Sequence, residues 1–122
     1  MRRFPQILAL GLLLLASACT AVSQSPGQVA MADSIKVNAS LERAVAYNTR
    51  PTCKTGVIEP CAKPAVRREL AEAGQRAADA DERASRAARA QPVNTTQLGQ
   101  ARLEAANARA ALDAILAREG AP

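Results

Sequence analysis

The chain has 122 residues, a formal net charge of +5, no histidine or tryptophan, and a single tyrosine. A chain of this length forms one small domain at most, and the absence of histidine excludes the common catalytic triads and most zinc sites. The mild basic excess is interleaved with acids and lacks stacking aromatics, which argues against a nucleic-acid partner. Alanine dominates the apolar residues, so the composition predicts long helices, thin packing and few strands.

The first 18 residues have the pattern of an export signal. Arg2 and Arg3 precede an apolar run over residues 7–15, and small residues follow at 16–18. The run is too short to span a bilayer, which takes about 20 residues, so the sequence predicts a signal peptide over residues 1–18. An uncleaved N-terminal anchor is the alternative.

Cys19 follows this leader directly. Small residues before a cysteine resemble the lipobox of bacterial lipoproteins, a family in which the signal is cut before the cysteine, which then carries the lipid. The resemblance implies that Cys19 bears palmitate or similar acyl chains and anchors the protein in a membrane. Thr20 then favours the periplasmic face of the outer membrane over the inner membrane. The alternative is an ordinary signal peptidase, because residues 16–18 also fit its A-x-A pattern at the same bond.

Residues 19–28 are small and polar and include a Pro-Gly pair, which predicts a flexible tether next to the lipid. Residues 29–122 are expected to form a single small helical domain. Its helical pattern begins at Val29 and reaches Tyr47, and the first helix is expected over about 33–47, a shorter version that Asp33 or Ser34 would cap. The apolar residues that recur near the helical period are Ala30, Val37, Leu41 and Ala44, with Ile35 and Val45 alongside.

Two cysteines flank a proline-rich loop after the first helix. With Cys19 lipidated, Cys53 and Cys61 remain as an even pair, and export favours their oxidation, so we expect a disulfide. Closure of this nine-residue loop stabilises the fold by about 2.5 kcal/mol. We name residues 48–64 the clasp, because the bridge fixes how the first helix leads into the second, and we expect Tyr47 to pack over it. A metal or redox role is the alternative, although the C-x7-C spacing differs from that of a C-x-x-C redox pair.

The second helix is predicted over about 64–90, because proline suits a first helical turn and the next proline ends the pattern. The third is predicted over about 95–118, capped by Asn94, Thr95 or Thr96. Steps of three and four residues give each helix an apolar seam: Val66, Leu70, Ala73, Ala77, Ala80, Ala84 and Ala87 on the second, and Leu98, Ala101, Ala105, Ala108, Leu112 and Ile115 on the third. The short connector favours an all-α, alanine-rich helical hairpin or three-helix arrangement. Isolated helices held by propensity alone are the alternative.

Acidic side chains on the second and third helices are the remaining candidates for chemistry. They are Glu69, Glu72, Asp79, Asp81, Glu82, Glu104 and Asp113. Most have a basic residue within helical reach or lie on the exposed face, so we expect surface charge and not catalysis. The pairs four residues apart with the acid first are Glu72–Arg76, Asp79–Arg83 and Glu82–Arg86. No catalytic, cofactor-binding or metal-binding residue is predicted.

The segment from Tyr47 to Leu70 contains a tyrosine, a Pro-x-Cys, a loop with a glycine, a second cysteine and a Pro-Ala-Val that opens a helix. These positions are Tyr47, Pro51, Cys53, Gly56, Cys61, Pro64, Ala65 and Val66. The series resembles small exported proteins of phages, prophages and proteobacteria, some of which lie near lysis genes. The resemblance implies a helical protein that faces the envelope, and it supplies no active site.

These features lead to one expected function and two alternatives. We expect a non-enzymatic bacterial envelope lipoprotein, anchored through Cys19, with a helical interaction domain. That domain would bind an envelope protein or self-associate through its heptad seams. The first alternative is a phage- or prophage-derived lysis or exclusion accessory protein in the periplasm, similar in placement to spanin lipoproteins. The second is an exported enzyme that uses one of the carboxylates.

Overall fold

The computed structural model describes residues 23–56 and 59–121. Three helices follow one another along the chain: α1 over Pro26–Asn48, α2 over Pro64–Arg89 and α3 over Thr95–Arg118. The predicted all-α class is confirmed, in its three-helix form. The predicted signal peptide (1–18) and the proposed lipid site, Cys19, lie outside the described residues.

The three helices form an up-down-up bundle in which every pair is in contact. Ser34 in the first half of α1 hydrogen-bonds Asp81 near the end of α2, which shows that these two helices run in opposite directions. Asp33 pairs with Arg102 in the first half of α3, so α1 and α3 run in the same direction. The expected packed hairpin of α2 and α3 is therefore confirmed, with α1 laid against both helices.

The first helix begins at Pro26 and not near residue 33. Ser25 and Gln28 form a capping box, in which the Ser25 side chain accepts from the Gln28 N–H at 3.2 Å and the Gln28 side chain accepts from the Ser25 N–H at 2.8 Å. Pro26 at the first helical position needs no hydrogen-bond acceptor for its nitrogen. The expected tether over 19–28 is thus too long, because its last three residues are helical.

The predicted bounds of the other two helices are confirmed to within one residue. Asn94 is the cap of α3, and its side chain accepts from the Gln97 N–H at 2.9 Å. The chain leaves α3 at Gly120, whose φ of 59° is a backbone conformation that glycine adopts without strain. Asp33 and Ser34 do not cap α1, because both lie inside that helix.

The main core lies at the clasp half of the bundle. Its fully buried large side chains are Tyr47, Leu70, Leu112 and Leu116. Alanines from α2 fill most of the remaining contacts, and the rest of the seam continues as two smaller clusters, one around Ala80, Ala84 and Ala105. Small side chains let helix backbones approach closely. The van der Waals contacts between the backbones then compensate in part for the small volume of the core side chains.

The predicted seams form the interior of the bundle, with one shift at the end of each helix. On α2 the last buried residue is Ala88 and not Ala87, and on α3 the last is Leu116 and not Ile115. An α-helix has 3.6 residues per turn, so a stripe with a strict 3.5-residue period rotates away from the core, and a four-residue step restores it.

Candidate interaction surface

The disulfide between Cys53 and Cys61 is present, with a Cα–Cα distance of 4.9 Å. Backbone hydrogen bonds reinforce the bridge, because the Cys53 N–H donates to the Ala62 carbonyl at 3.0 Å and the Ala62 N–H donates to the Pro51 carbonyl at 2.7 Å. Gly56 takes a φ of 86° in the turn between the cysteines. The chain segments at the two ends of the clasp loop are therefore joined by the disulfide and by hydrogen bonds.

Tyr47 lies beneath the clasp, as expected, and is 2% exposed. Its hydroxyl accepts from the Lys63 N–H at 3.1 Å, so the buried phenol has a partner for its polar end. The Arg50 guanidinium carbon lies 5.0 Å from the ring centroid, within cation–π range. The last turn of α1 is thereby fixed to the residue that precedes α2.

Arg67 of α2 is a second tie to the clasp. Its guanidinium donates to the Thr52 hydroxyl at 3.0 Å and to the Arg50 carbonyl. A hydroxyl and a carbonyl of the clasp thus accept from a charged donor, which makes these hydrogen bonds stronger than neutral ones. Arg67 is therefore a structural arginine and not part of a free basic patch.

The C-terminal end of α3 joins this assembly through Glu119. Its carboxylate is 2.9 Å from the Lys63 ammonium and 3.1 Å from the Arg118 guanidinium. The hydrogen bond from Lys63, followed by that from Arg118, holds the pKa of Glu119 below its usual value. The same contact raises the pKa of Lys63. These pairs fasten the start of α2 to the end of α3.

Six of the seven candidate carboxylates form ion pairs or hydrogen bonds, and the seventh, Glu72, is exposed on α2. Among the three predicted pairs, Glu82–Arg86 forms at 3.6 Å, whereas Arg83 pairs with Glu104 of α3 at 3.5 Å. In the described part of the chain, no group of three or more His, Cys, Asp or Glu residues is arranged to hold a metal ion.

Ser34 of α1 forms a partly buried polar contact with Asp81 and Ser85 of α2. The Ser34 hydroxyl donates to the Asp81 carboxylate at 2.8–2.9 Å and lies 3.4 Å from the Ser85 hydroxyl. The triplet fixes the register of α1 on α2.

Three large apolar side chains of α1 point away from the bundle. Met31, Ile35 and Val45 are 69%, 62% and 61% exposed. At 3.6 residues per turn they lie within an arc of about 80°, in which Ile35 is nearly opposite to buried Val37 and Val45 is about 80° from it. We name these three residues the α1 outer face. The expectation that Ile35 and Val45 accompany the buried seam is wrong.

The sequence does contain a signal for this face. Residues 31, 35, 38, 42 and 45 follow a second heptad spacing, offset from the buried set, and three of the five are large and apolar. Leu103 of α3 is also 63% exposed. Single exposed apolar side chains are normal on a protein surface, whereas contiguous apolar patches mark interaction sites. Met31 and Ile35, one turn apart, are adjacent on α1, and Asn38 and Glu42 separate them from Val45.

No family model, curated protein or solved structure matches this chain. Within the described residues, none of the helices is both long enough and apolar enough to cross a membrane.

Proposed function

We propose that the protein is a non-enzymatic bacterial envelope lipoprotein that is anchored through acylated Cys19 and binds a protein partner with the α1 outer face. The leader over residues 1–18 and the cysteine that follows it support the anchor. The exposure of Met31, Ile35 and Val45 supports the partner. Outer-membrane attachment at the periplasmic face follows from the residue after the cysteine.

The α1 outer face is the observation that carries the interaction proposal. The seams of α2 and α3 are buried against each other and against α1, so in the folded domain they are not free to bind a second protein. Met31 and Ile35 are four residues apart and Val45 is two heptads beyond Met31. This is the spacing by which one face of a helix enters an apolar groove or packs on another helix.

The clasp supports this role by fixing α1 before any partner arrives. Tyr47, Lys63 and the disulfide hold the end of α1 to the start of α2, while Asp33 and Arg102 hold its first half to α3 at 2.7 Å. A helix that is already ordered loses little conformational entropy on binding, which favours affinity.

Metabolic labelling with a fatty-acid probe tests the anchor. We expect the full-length protein to take up the label and to fractionate with membranes, because several acyl chains hold firmly where one chain binds reversibly. Cys19→Ala should abolish the label and leave the protein soluble in the periplasm or unprocessed. Membrane fractionation unchanged by this substitution, or an unmodified first residue in the mature protein by mass spectrometry, would contradict the anchor.

Charged substitutions on α1 test the interaction face. We expect the wild-type protein to form a cross-linked complex with an envelope protein in cells. Met31→Glu with Ile35→Glu should abolish this complex, because two carboxylates cannot enter an apolar interface without a large desolvation cost. Leu103→Glu is the matched control, as it changes one equally exposed leucine on α3. If the double variant formed as much complex as wild type, with an identical helical circular dichroism spectrum, the α1 outer face would not be the binding surface.

A second proposal is a phage- or prophage-derived accessory protein of lysis or exclusion. It rests on the resemblance of the segment from Tyr47 to Leu70. Genes for an endolysin or a holin beside this gene would support it, and a housekeeping neighbourhood with no effect of deletion on lysis timing would count against it.

A further inference from the structure

We infer that the end of the bundle nearest Cys19 rests on an anionic membrane surface, which it contacts through Arg86 and Arg89. The inference deepens the proposed lipoprotein function and depends on its anchor. It follows from three properties of this end: the position of the helix ends, the length of the tether and the distribution of charge.

The starts of α1 and α3 and the end of α2 meet at one end of the bundle. Ala30, Ala88 and Leu98 form a single buried cluster there, against which Val93 also packs. We name this region the tether end, comprising residues 23–30 and 86–98. The clasp lies at the other end of α2, a helix of 26 residues, and is thus about 39 Å away at 1.5 Å per residue.

The capping box at Ser25 makes the tether short. Because α1 begins at Pro26, only the six residues from Thr20 to Ser25 separate Cys19 from the helix. Fully extended, six residues span about 20 Å. This reach is about half the length of α2, so with Cys19 at the bilayer surface the tether end must stay close to the headgroups.

The tether end carries basic residues and no acids. Within residues 23–30 and 86–98, Arg86 and Arg89 are the only charged residues. Both occupy the last turn of α2. The tether therefore holds against the membrane an end of the bundle that carries two positive charges and no negative charge.

The two arginines are available to a ligand. Arg86 lies 3.6 Å from Glu82, and both side chains are 64% exposed, a contact that water screens strongly. Arg89 is exposed and forms no ion pair with any residue in the described ranges. Guanidinium groups bind phosphate oxygens in a bidentate manner, which suits them to phospholipid headgroups.

Stabilisation of the helix dipole gives an alternative role for arginines in the last turn of α2. If that were their only role, removing them would lower the folding stability even without a membrane. Contact with anionic lipid predicts instead that the tether end moves closer to the membrane, and only when such lipid is present. The two roles are therefore separable by a spatial probe.

The test uses the full-length acylated protein in vesicles with a dansyl-labelled headgroup lipid. Because the chain has no tryptophan, Thr96→Trp provides a single energy-transfer donor at the tether end and Thr55→Trp provides one at the clasp. Vesicles consist of phosphatidylcholine alone or with added phosphatidylglycerol. We expect transfer from Thr96→Trp to rise in the anionic vesicles and to fall back at high salt, while transfer from Thr55→Trp stays low throughout.

Charge-matched variants of α2 identify the residues. Arg86→Gln with Arg89→Gln should lower the ratio of docked to undocked protein by about fivefold for each arginine, the factor that corresponds to about 1 kcal/mol per basic residue at such a surface. Arg68→Gln with Arg76→Gln removes the same charge from exposed positions of the same helix nearer the clasp and should leave the ratio unchanged.

The possible results test the acyl anchor and the membrane contact of the tether end separately. Flotation with neutral vesicles shows that the acyl anchor is in place, and its absence would overturn the anchor together with this inference. If the protein floats with the vesicles but energy transfer from Thr96→Trp does not depend on lipid composition, the anchor stands and the contact of the tether end with anionic lipid is overturned. Equal losses for the two double variants would also overturn it, because they would reflect overall charge and not contact at this end.

Discussion

Tyr47 organises the clasp end at the scale of single residues. It is the only tyrosine in the chain and one of four large side chains that are fully buried. Its ring packs in the core, its hydroxyl binds the backbone before α2, and Arg50 covers its face. One amphipathic side chain thus closes the core and satisfies a polar group of the loop.

Gly74 shows how one missing side chain positions a helix pair. A Cβ atom at this position would lie 3.2 Å from Leu41 Cδ2, closer than an ordinary van der Waals contact. A glycine inside a helix costs about 1 kcal/mol relative to alanine. Here it lets Leu41 of α1 pack against the backbone of α2, so packing offsets a local penalty.

Glu119 predicts a pH dependence of stability. The lowered pKa of its carboxyl group arises from Lys63 and Arg118, so the unfolded chain binds a proton more readily than the folded one. The stabilisation is therefore complete above the ordinary glutamate pKa of 4.5 and is lost as pH falls through the lower folded value. Wild-type protein should melt at a higher temperature than Glu119→Gln at pH 7, and the two melting curves should converge at acidic pH.

Glu72 provides the control for this titration, because it is a glutamate that is exposed on α2. The difference between wild type and Glu72→Gln should vary little over the same range. A difference between wild type and Glu119→Gln that persists unchanged to low pH would show that the ion pairs do not stabilise the fold.

The start of α1 is the element whose stability depends most clearly on one side chain. Ser25→Ala removes the side-chain acceptor for the Gln28 N–H, at a cost of about 1 kcal/mol. We expect faster amide hydrogen exchange over residues 28–30 and a melting temperature lower by about 4–8 °C. Ser23→Ala, two residues outside the cap, should have no effect. Unchanged exchange in Ser25→Ala would mean that packing of Ala30 alone holds this turn.

The helices differ in how strongly their own sequences define an inward face. The seam of α2 is a single stripe with charged residues on the other sides, so its inward face follows from its sequence. In α1 the buried set and the α1 outer face both have helical spacing, and both contain large apolar residues. The choice between them is made by partners on other helices, Asp81 for Ser34 and Arg102 for Asp33.

The disulfide acts at the scale of the whole molecule, since it closes the link between α1 and the α2–α3 hairpin. Cys53→Ser should lower the free energy of unfolding by about 2.5 kcal/mol and the melting temperature by about 10 °C or more. Reduction of the wild-type protein should reproduce the effect. Identical melting curves for oxidised and reduced protein would show that Tyr47 and Arg67 hold the clasp without the bridge.

The bounds of α2 and α3 were predictable because local chemistry defines them. Pro64 suits the first turn of a helix, and Asn94 provides a side-chain cap. The start of α1 was not predictable from the sequence, because a Pro-Gly pair usually favours a turn. Here Ser25 and Gln28 supply reciprocal caps that extend the helix to this pair. The clasp disulfide was predictable from the parity of the cysteines and the predicted export.

By itself the sequence determined three helices, the bounds and seams of α2 and α3, and the pairing of Cys53 with Cys61. Each of these depends on residues close together in the chain or on spacing along one helix. Only the tertiary structure decided which face of α1 is exposed and which end of the bundle carries arginines without acids. Those properties arise where separate helices meet, and side-chain periodicity within one helix contains no information about its neighbours.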